Sequence, residues 1–351
     1  SGGREHSICY NLKQTKKHTK LVCIPGNAGT AQICENLNVD ISNFNQLYDE
    51  LKKNEIDIVI VGPEVPLVEG IKDFLEENSI KVFGPSKKAS QLEGSKLFLK
   101  NFCSEFKIPS ARFQEVKNLS EASDCIDKFG LPIVVKSDGL AAGKGVTICN
   151  KKEEALNDVK AIFSGKFKSS KKVILEEFLK GEEASYFVIT DGEDFLPIGT
   201  AQDHKRVFEN DVGPNTGGMG AYSPSSLITD DIESKIINRI IKPTLAGMKK
   251  IGSPFSGILY AGLMINNGDP KLIEYNIRFG DPECQILMMR MKSDFLEIVI
   301  NTIEKNLKNK NKLFFFPSGP PRGGGTTWGR LFNIFFYRRQ WSGGGRWTGW
   351  H

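Results

Sequence analysis

Apolar positions along this chain change their period several times, and each change marks an element. Over residues 4–15, Ile8 and Leu12 recur four apart, the spacing of one helical face. LVCIPGN (21–27) is apolar up to a Pro-Gly turn and predicts a buried strand. IDIVIVGPE (56–64) is a run of β-branched residues stopped by Gly62-Pro63, and IKVFGPS (80–86) predicts a third short strand. Between them VPLVEGIKDFLEEN (65–78) returns to helical spacing, with Val68, Ile71, Phe74 and Leu75 on one face. Strands alternating with helices predict βαβ units and an open parallel sheet, whose ligands bind beyond the carboxyl ends of the strands. Here those ends carry the turns PGN, GPE and GPS, joined by SGGRE at the chain's start. A glycine-rich turn that opens a helix ordinarily follows a strand, yet residue 1 already stands in the turn.

A helix carrying Phe98, Phe102 and Phe106 follows, and the pattern then changes. LPIVVKSDGLAAGKGVTIC (131–149) predicts two strands flanking a glycine-rich loop, and KKVILEEFLKGEEASYFVI (171–189) two more around a short connector. Residues 229–250 predict a helix. SGILYAGLMIN and PKLIEYNI predict two strands joined by the turn NGDP, and helices are expected over about 282–290 and 293–308. No internal repeat is present. The expected fold class is α/β: an open parallel-sheet amino-terminal domain over 1–92, then an α+β domain over 93–308 with 110–190 as a smaller lid.

Composition adds limits. The 351 residues suffice for two or three domains. No stretch reaches the ~20 apolar residues of a membrane span, and no signal peptide is visible, so a cytoplasmic location without membrane partners is expected. Seven scattered cysteines without a CxxC pair predict free thiols in a reducing compartment. The net charge of +5 arises in residues 317–351, which hold five Arg, no Lys and no acid. The rest of the chain carries 42 basic and 42 acidic side chains, an even balance that argues against nucleic acid. The tail also holds all four Trp and nine of the 35 Gly. It reads either as an RGG-like aromatic segment or as foreign sequence from a frameshift or assembly error. The abrupt change near Pro317 and the unpartnered apolar run FNIFFY favour the second.

Four stretches carry candidate chemistry. In VVKSDGLAAGKGV (134–146), strand residues aim Lys136 outward. Gly139, Gly143 and Gly145 form a loop whose N–H groups can reach phosphate oxygens, with Lys144 at its tip. The spacing is not that of a Walker A loop, and a flexible hairpin turn is the competing reading. In VILEEFLKGEE (173–183), an extended segment offers backbone groups to a base edge, apolar residues to a flat ring and an acid to ribose hydroxyls; an edge strand with solvated acids is the alternative. In LIEYNIRFGDPE (272–283), Glu274 and Asn276 share a strand face and supply two hard oxygens for Mg²⁺. Arg278 joins that face if the strand continues, and a surface strand with a salt bridge is the bland reading. In AQDHKRVFENDVGPNTGGMGAYSP (201–224), a long irregular stretch sets cations ahead of a glycine-rich turn, which suits a phosphorylated substrate. His204 reads as a catalytic base or a structural hydrogen-bonder, the latter favoured without a visible nucleophile.

In this order the stretches resemble the ATP-grasp ligases, and among them the glycinamide ribonucleotide synthetase (phosphoribosylamine–glycine ligase) family. SGGREH, GPEVPL, GSKLFLKNF, VVKSDGLAAGKGV, LEEFLKGEEAS, QDHKR, GPNTGGMGAYSP and EYNIRFGDPECQ carry the resemblance, which runs from residue 1 to about 308. NTGGMGAYSP and RFGDPE go beyond the general ATP-grasp pattern. The resemblance implies a pre-ATP-grasp domain followed by an ATP-grasp domain. It implies a reaction of ATP, glycine and 5-phosphoribosylamine through a glycyl phosphate, with Mg²⁺ or Mn²⁺, in a monomer.

It further implies residue roles. Lys96 and Lys136 contact phosphates, and Gly143, Lys144 and Gly145 form a closing loop. Glu176, Glu177, Phe178 and Leu179 line the adenine hinge, and Glu182 or Glu183 accepts from ribose. Glu274 and Asn276 hold metal. Asp203, Lys205, Thr216, Gly217, Gly218, Met219, Gly220, Arg278 and Asp281 surround glycine and phosphoribosylamine, and Gly2 and Gly3 face the phosphoribosyl group. Lys136, Lys144, Asp203 and Arg278 form the implied catalytic set. The family starts with a short strand ahead of SGGREH and continues past 308 into a C-terminal domain, so the resemblance implies a chain cut at both ends. Another ATP-grasp carboxylate–amine ligase and an inactive nucleotide-binding fragment are the competing readings.

Overall fold

The computed structural model describes residues 2–309 except 18–19, 142–143, 168–169, 205, 209–211 and 217, together with 313 and 315. The chain opens with α1 (Gly3–Lys13), which buries Ile8, Cys9 and Leu12, the face its spacing predicts. β1 (Val22–Cys23) and β2 (Glu35–Asn36) pair in parallel. α2 (Phe44–Lys53) and β3 (Ile58–Ile60) follow. The helix expected over 65–78 is two helices, α3 (Glu64–Glu69) and α4 (Ile71–Glu77), because Gly70 closes α3 in the left-handed region at φ +100°. β4 (Lys81–Phe83) then pairs in parallel with β3.

The strands are thus parallel as expected but form two ladders, not one open sheet. A cavity of about 750 Å³ lies between them, lined by Leu21, Cys23 and Ile24 on one side and Ile58, Ile60 and Val61 on the other. Paired strands sit about 4.8 Å apart; across this cavity β1 and β3 share no backbone pairing.

α5 (Gln91–Gly94) and α6 (Lys96–Glu105) lead into the smaller unit: β5 (Phe113–Val116), α7 (Leu119–Phe129), β6 (Ile133–Ser137), β7 (Val146–Cys149), α8 (Lys152–Phe163) and β8 (Val173–Glu177). Its strands form one antiparallel sheet in the order β5-β8-β6-β7, and the two helices close a separate core around Ile126, Val135, Val159 and Leu175.

The larger sheet begins with β9 (Glu182–Asp191) and β10 (Phe195–Asp203). A small pair, β11 (Arg206–Phe208) with β12 (Val212–Asn215), precedes β13 (Ala221–Tyr222). The expected helix over 229–250 is a continuous run of α9 (Asp230–Ile236), a π-helical segment (Ile237–Ile241) and α10 (Lys242–Lys250). The π-segment lies just before Pro243, whose missing N–H opens the helical ladder. β14 (Ser256–Asn266) and β15 (Asp269–Asn276) form a hairpin whose turn residues, Asn267 at φ +50° and Gly268 at φ +75°, suit a type I′ turn. The sheet order is β13-β10-β9-β14-β15. α11 (Glu283–Arg290) and α12 (Phe295–Ile303) cover one face over Phe187, Ile258, Leu287 and Phe295; α12 stops short of the expected residue 308. The other face packs Tyr186, Leu259 and Tyr275 against Leu67, Leu92 and Phe102.

β8 and β9 read in the sequence as one strand–connector–strand unit, but they belong to different sheets. Residues 178–181 cross from the smaller sheet to the larger, so the smaller unit's sheet ends at Glu177 and the expected span of 110–190 takes in one strand of the other.

Candidate functional site

The site forms where the two sheets meet. α6 starts at Ser95, whose hydroxyl accepts from the Phe98 N–H at 3.1 Å. The Asp138 carboxylate, just past β6, accepts from Ser95 Oγ at 3.0 Å and from the Leu97 N–H at 3.2 Å. The loop after β6 is thereby tied to the start of α6. Lys96 Nζ donates to the Gly139 carbonyl at 2.7 Å. Burial pushes its ammonium below the ordinary lysine range, while Glu274, Asp138 and Glu176 pull it back and Lys136 opposes them. One side chain therefore senses charges of both sheets, Lys136 and Glu176 on the smaller and Glu274 on the larger.

Lys136 on β6 places Nζ 3.0 Å from Glu176 Oε2 on β8. Lys100, one turn beyond Lys96, places its Nζ 2.9 Å from the same oxygen. Lys100, Lys136 and Glu176 are only 2%, 6% and 3% exposed, so one buried carboxylate bridges two ammoniums. Glu176 Oε1 is buried without a hydrogen-bond partner among the described residues. Glu176 is therefore the counter-charge beneath the two lysines. The Glu177 side chain turns the other way: its carboxylate accepts from Arg112 Nε at 2.6 Å and the Arg112 N–H at 3.0 Å, because consecutive strand residues point to opposite faces. Phe178 and Leu179 are half-buried in the connector. Lys144 is exposed, the Gly145 carbonyl accepts from the Ser137 N–H at 2.9 Å, and Gly143 lies outside the described residues.

Register separates Glu182 from Glu183. Gly262 on β14 stands opposite both Ser185 and Glu274, and Met264 opposite Glu183. Directly opposed residues share a face, so Glu183 lies on the Glu274 face and Glu182 on the reverse. Between Glu274 and Asn276, Tyr275 points into the core and its hydroxyl lies 2.6 Å from Thr244 Oγ1. Neither Glu274 nor Asn276 makes a side-chain hydrogen bond or ion pair among the described residues, and no group of three metal-ligating acids, histidines or cysteines occurs there. Two free hard oxygens suit a cation held mainly by substrate phosphates and too few protein ligands for a closed cage.

Beneath this face lies a network the motifs did not single out. Ser185 Oγ donates to the Tyr260 hydroxyl at 2.9 Å, which donates to Glu283 Oε1 at 2.9 Å. Burial, then the charges of Glu283 and Asp203, push the Tyr260 phenol well above its usual range. Asp203 thus stands within reach of this network at the end of β10. Gly280 is required here, since a Cβ would come 2.1 Å from Glu283 Oε2.

β15 ends at Asn276, but Arg278 still reaches the site. Its Nε donates to Glu64 Oε2 at 3.1 Å, Nη2 to Glu93 Oε1 at 3.0 Å and Nη1 to the Phe279 carbonyl at 3.1 Å. Arg4 Nη1 donates to the same carbonyl at 3.2 Å. His204 pairs with the residues before β13: Met219 N–H donates to the His204 carbonyl at 2.8 Å and His204 N–H to the Gly220 carbonyl at 2.9 Å. Thr216 Oγ1 accepts from the Gly218 N–H at 3.1 Å. A Cβ on Gly218 would lie 2.6 Å from Pro282 Cδ, and one on Gly2 would lie 3.2 Å from Asp281 Oδ2. Gly2, Gly218 and Asp281 are therefore brought together, while Lys205 and Gly217 lie outside the described residues, as does the tail 317–351.

The start of α1 holds its own anion. The Glu5 carboxylate accepts from the Gly2 N–H at 2.6 Å and from Arg4 Nε at 2.7 Å. Burial would raise this carboxyl, but Arg4 and the Gly2 N–H outweigh it and hold it at about 2. The stabilisation is present above the ordinary glutamate range and is lost as pH falls toward 2. Glu5→Gln is expected to lower stability by about 1.5–3 kcal/mol at pH 7. Urea unfolding at pH 7 and pH 3 should show the gap narrowing at the lower pH; a gap independent of pH would rule out the ion pair as its source.

The family model of the phosphoribosylglycinamide synthetase N domain matches residues 1–93, and that of the phosphoribosylglycinamide synthetase ATP-grasp (A) domain matches 94–284. The phosphoribosylamine–glycine ligase of Brucella melitensis is 49% identical over 308 residues, 88% of this chain and 72% of the relative. That of Escherichia coli is 46% identical over 315 residues, covering 88% and 73%. The solved phosphoribosylamine–glycine ligase of Thermotoga maritima aligns with a TM-score of 0.76 at 36% identity, over 87% of this chain and 74% of that one. A Campylobacter jejuni biotin carboxylase aligns with a TM-score of 0.68 at 16% identity, covering 85% and 69%, a likeness of fold alone.

Proposed function

This chain belongs to the phosphoribosylglycinamide synthetase family, and from that premise we propose how its site joins glycine to 5-phosphoribosylamine. It is an ATP-dependent carbon–nitrogen ligase of purine biosynthesis, producing glycinamide ribonucleotide, ADP and phosphate. The observation that carries the residue-level reading is the placing of two lysines where the sheets meet: Lys96 bonded to the Gly139 carbonyl of the loop after β6, and Lys136 bonded to Glu176 at the end of β8.

In this reading ATP lies between the sheets. Phe178 and Leu179 sandwich the base and Glu183 accepts from the ribose. Lys96, Lys136 and the 143–145 loop with Lys144 receive the polyphosphate. Glu274 and Asn276 are the residues that would hold Mg²⁺ or Mn²⁺, whose charge would offset that of the phosphates. The γ-phosphoryl group passes to a glycine carboxylate oxygen as its bond to the β-phosphate oxygen breaks and ADP leaves. The amine of phosphoribosylamine then attacks the acyl carbon, phosphate departs and the nitrogen loses a proton. Arg278, Asp203, Lys205 and residues 216–220 surround these reactants, with Asp281, Gly2 and Gly3 on the phosphoribosyl side. No side chain forms a covalent intermediate, so positioning and charge neutralisation supply the catalysis.

We also place the chain in the cytoplasm as a monomer without a nucleic-acid partner. The support for the compartment is the seven free cysteines, and for the lack of a nucleic-acid partner the even charge balance of residues 1–316. ADP and phosphate release should require glycine and phosphoribosylamine together, and other small carboxylic acids should not replace glycine. ATP binding without glycine-dependent release would reduce the chain to a nucleotide-binding fragment.

A further inference from the structure

Arg278 is gripped from two sides of the molecule. Glu64 comes from α3 in the amino-terminal unit and Glu93 from α5, 185 residues away in sequence. Glu93 does more than pair with the guanidinium: its second oxygen, Oε2, accepts the Ile277 N–H at 2.8 Å. One carboxylate therefore clamps both the side chain of Arg278 and the backbone immediately after Asn276. A guanidinium offers five N–H donors. Glu64, Glu93 and the Phe279 carbonyl take three, leaving one on each terminal nitrogen. Those two suit an oxyanion, a carboxylate or a phosphoryl group. The grip is poorly explained as charge attraction for substrate, because two acids around one base leave the trio without net positive charge. It is well explained as aiming.

We propose that Glu93 is a positioning residue: it aims the two free N–H groups of Arg278 at the reacting oxyanion and pins the end of β15, the strand carrying Glu274 and Asn276. The proposal rests on the reading of Arg278 as a substrate-facing group. Both Glu93 oxygens act as acceptors, whereas a glutamine has one acceptor and one donor. Glu93→Gln therefore loses one of the two contacts whichever way its amide turns, at nearly constant shape.

The test is a kinetic cycle with Glu93→Gln, Arg278→Lys and the double variant, each melted thermally first. Aiming predicts that Glu93→Gln lowers kcat by about 10–100-fold, the scale of a sub-ångström misplacement, while KM for ATP stays within about twofold. Lysine has no fork to aim, so in the Arg278→Lys background the same change should move kcat by less than about threefold. If Glu93→Gln keeps kcat within about threefold of the parent, or if the two effects multiply in the double variant, Glu93 does not act through Arg278. Unchanged kcat in Arg278→Lys would overturn the reading of Arg278 and the proposal with it. If Glu93→Gln does not fold, Glu93→Asp, which keeps both acceptors on a shorter stem, carries the same cycle.

Discussion

Glu274→Gln is expected to lower kcat by about 10²–10³-fold while leaving the fold at its parental stability. The size follows from the role: one charged oxygen that offsets developing phosphate charge in a water-poor site is worth about 10²–10³ in rate, and Asn276 alone on that face supplies only a neutral oxygen. The lack of a stability effect follows from the geometry. Glu274 is exposed, stands opposite Gly262 and makes no side-chain hydrogen bond or ion pair among the described residues. Exposed substitutions of that kind shift stability by about 0.5 kcal/mol or less. ADP release at saturating ATP, beside a thermal melt, separates the two quantities. A kcat within about tenfold of the parent would remove Glu274 from the metal assignment. A melting temperature that fell together with kcat would mean that the carboxylate supports the sheet instead.

The β14–β15 hairpin is legible in the sequence because its information is local: alternating apolar residues on both sides of Asn267-Gly268, a pair suited to a tight turn. The same alternation puts Glu274 and Asn276 on one face, two residues apart on β15. Strand membership is not legible. Nothing within KKVILEEFLKGEEASYFVI states that β8 ends in one sheet and β9 begins another, since the partners that decide it, β5 and β14, lie far away in sequence. Nor can periodicity show that β1 and β3 leave a cavity between their ladders.

Site residues divide along the same line. Lys136, Glu274 and Arg278 sit in motifs whose spacing implies chemistry. Glu93 and Tyr260 do not, and Glu283 closes RFGDPE without a role that spacing implies, because each acquires its role from a partner on another element. Two local signals do point to the buried bridge. Lys100 follows Lys96 by four residues and so shares its helix face. Glu176 and Glu177 are consecutive on a strand, so only one can share the face of Lys136.

Glu176→Ala is expected to be the most destabilising single change at the site, costing about 3–5 kcal/mol at pH 7, the range for removing one partner from a buried ion pair. The variant leaves Lys100 and Lys136 facing each other with no acid within salt-bridge distance among the described residues, and both are nearly inaccessible to water. Its pH dependence has a definite sign. Burial already holds the Lys100 ammonium below the ordinary lysine range, and Glu176 is what pulls it back. Without Glu176 the folded state gives up that proton at still lower pH than the unfolded chain. Between those two points the unfolded state binds more protons, so the variant gains stability as pH rises. Urea unfolding should therefore show a gap between parent and variant that is large at pH 7 and smaller near pH 10. A gap below about 1 kcal/mol at pH 7 would mean that solvent reaches the lysines, and a gap unchanged by pH would mean that lost packing, not unpaired charge, is its cause. The bridge also links stability to function: the Lys136 ammonium that Glu176 holds in place on β6 is the one assigned to the polyphosphate.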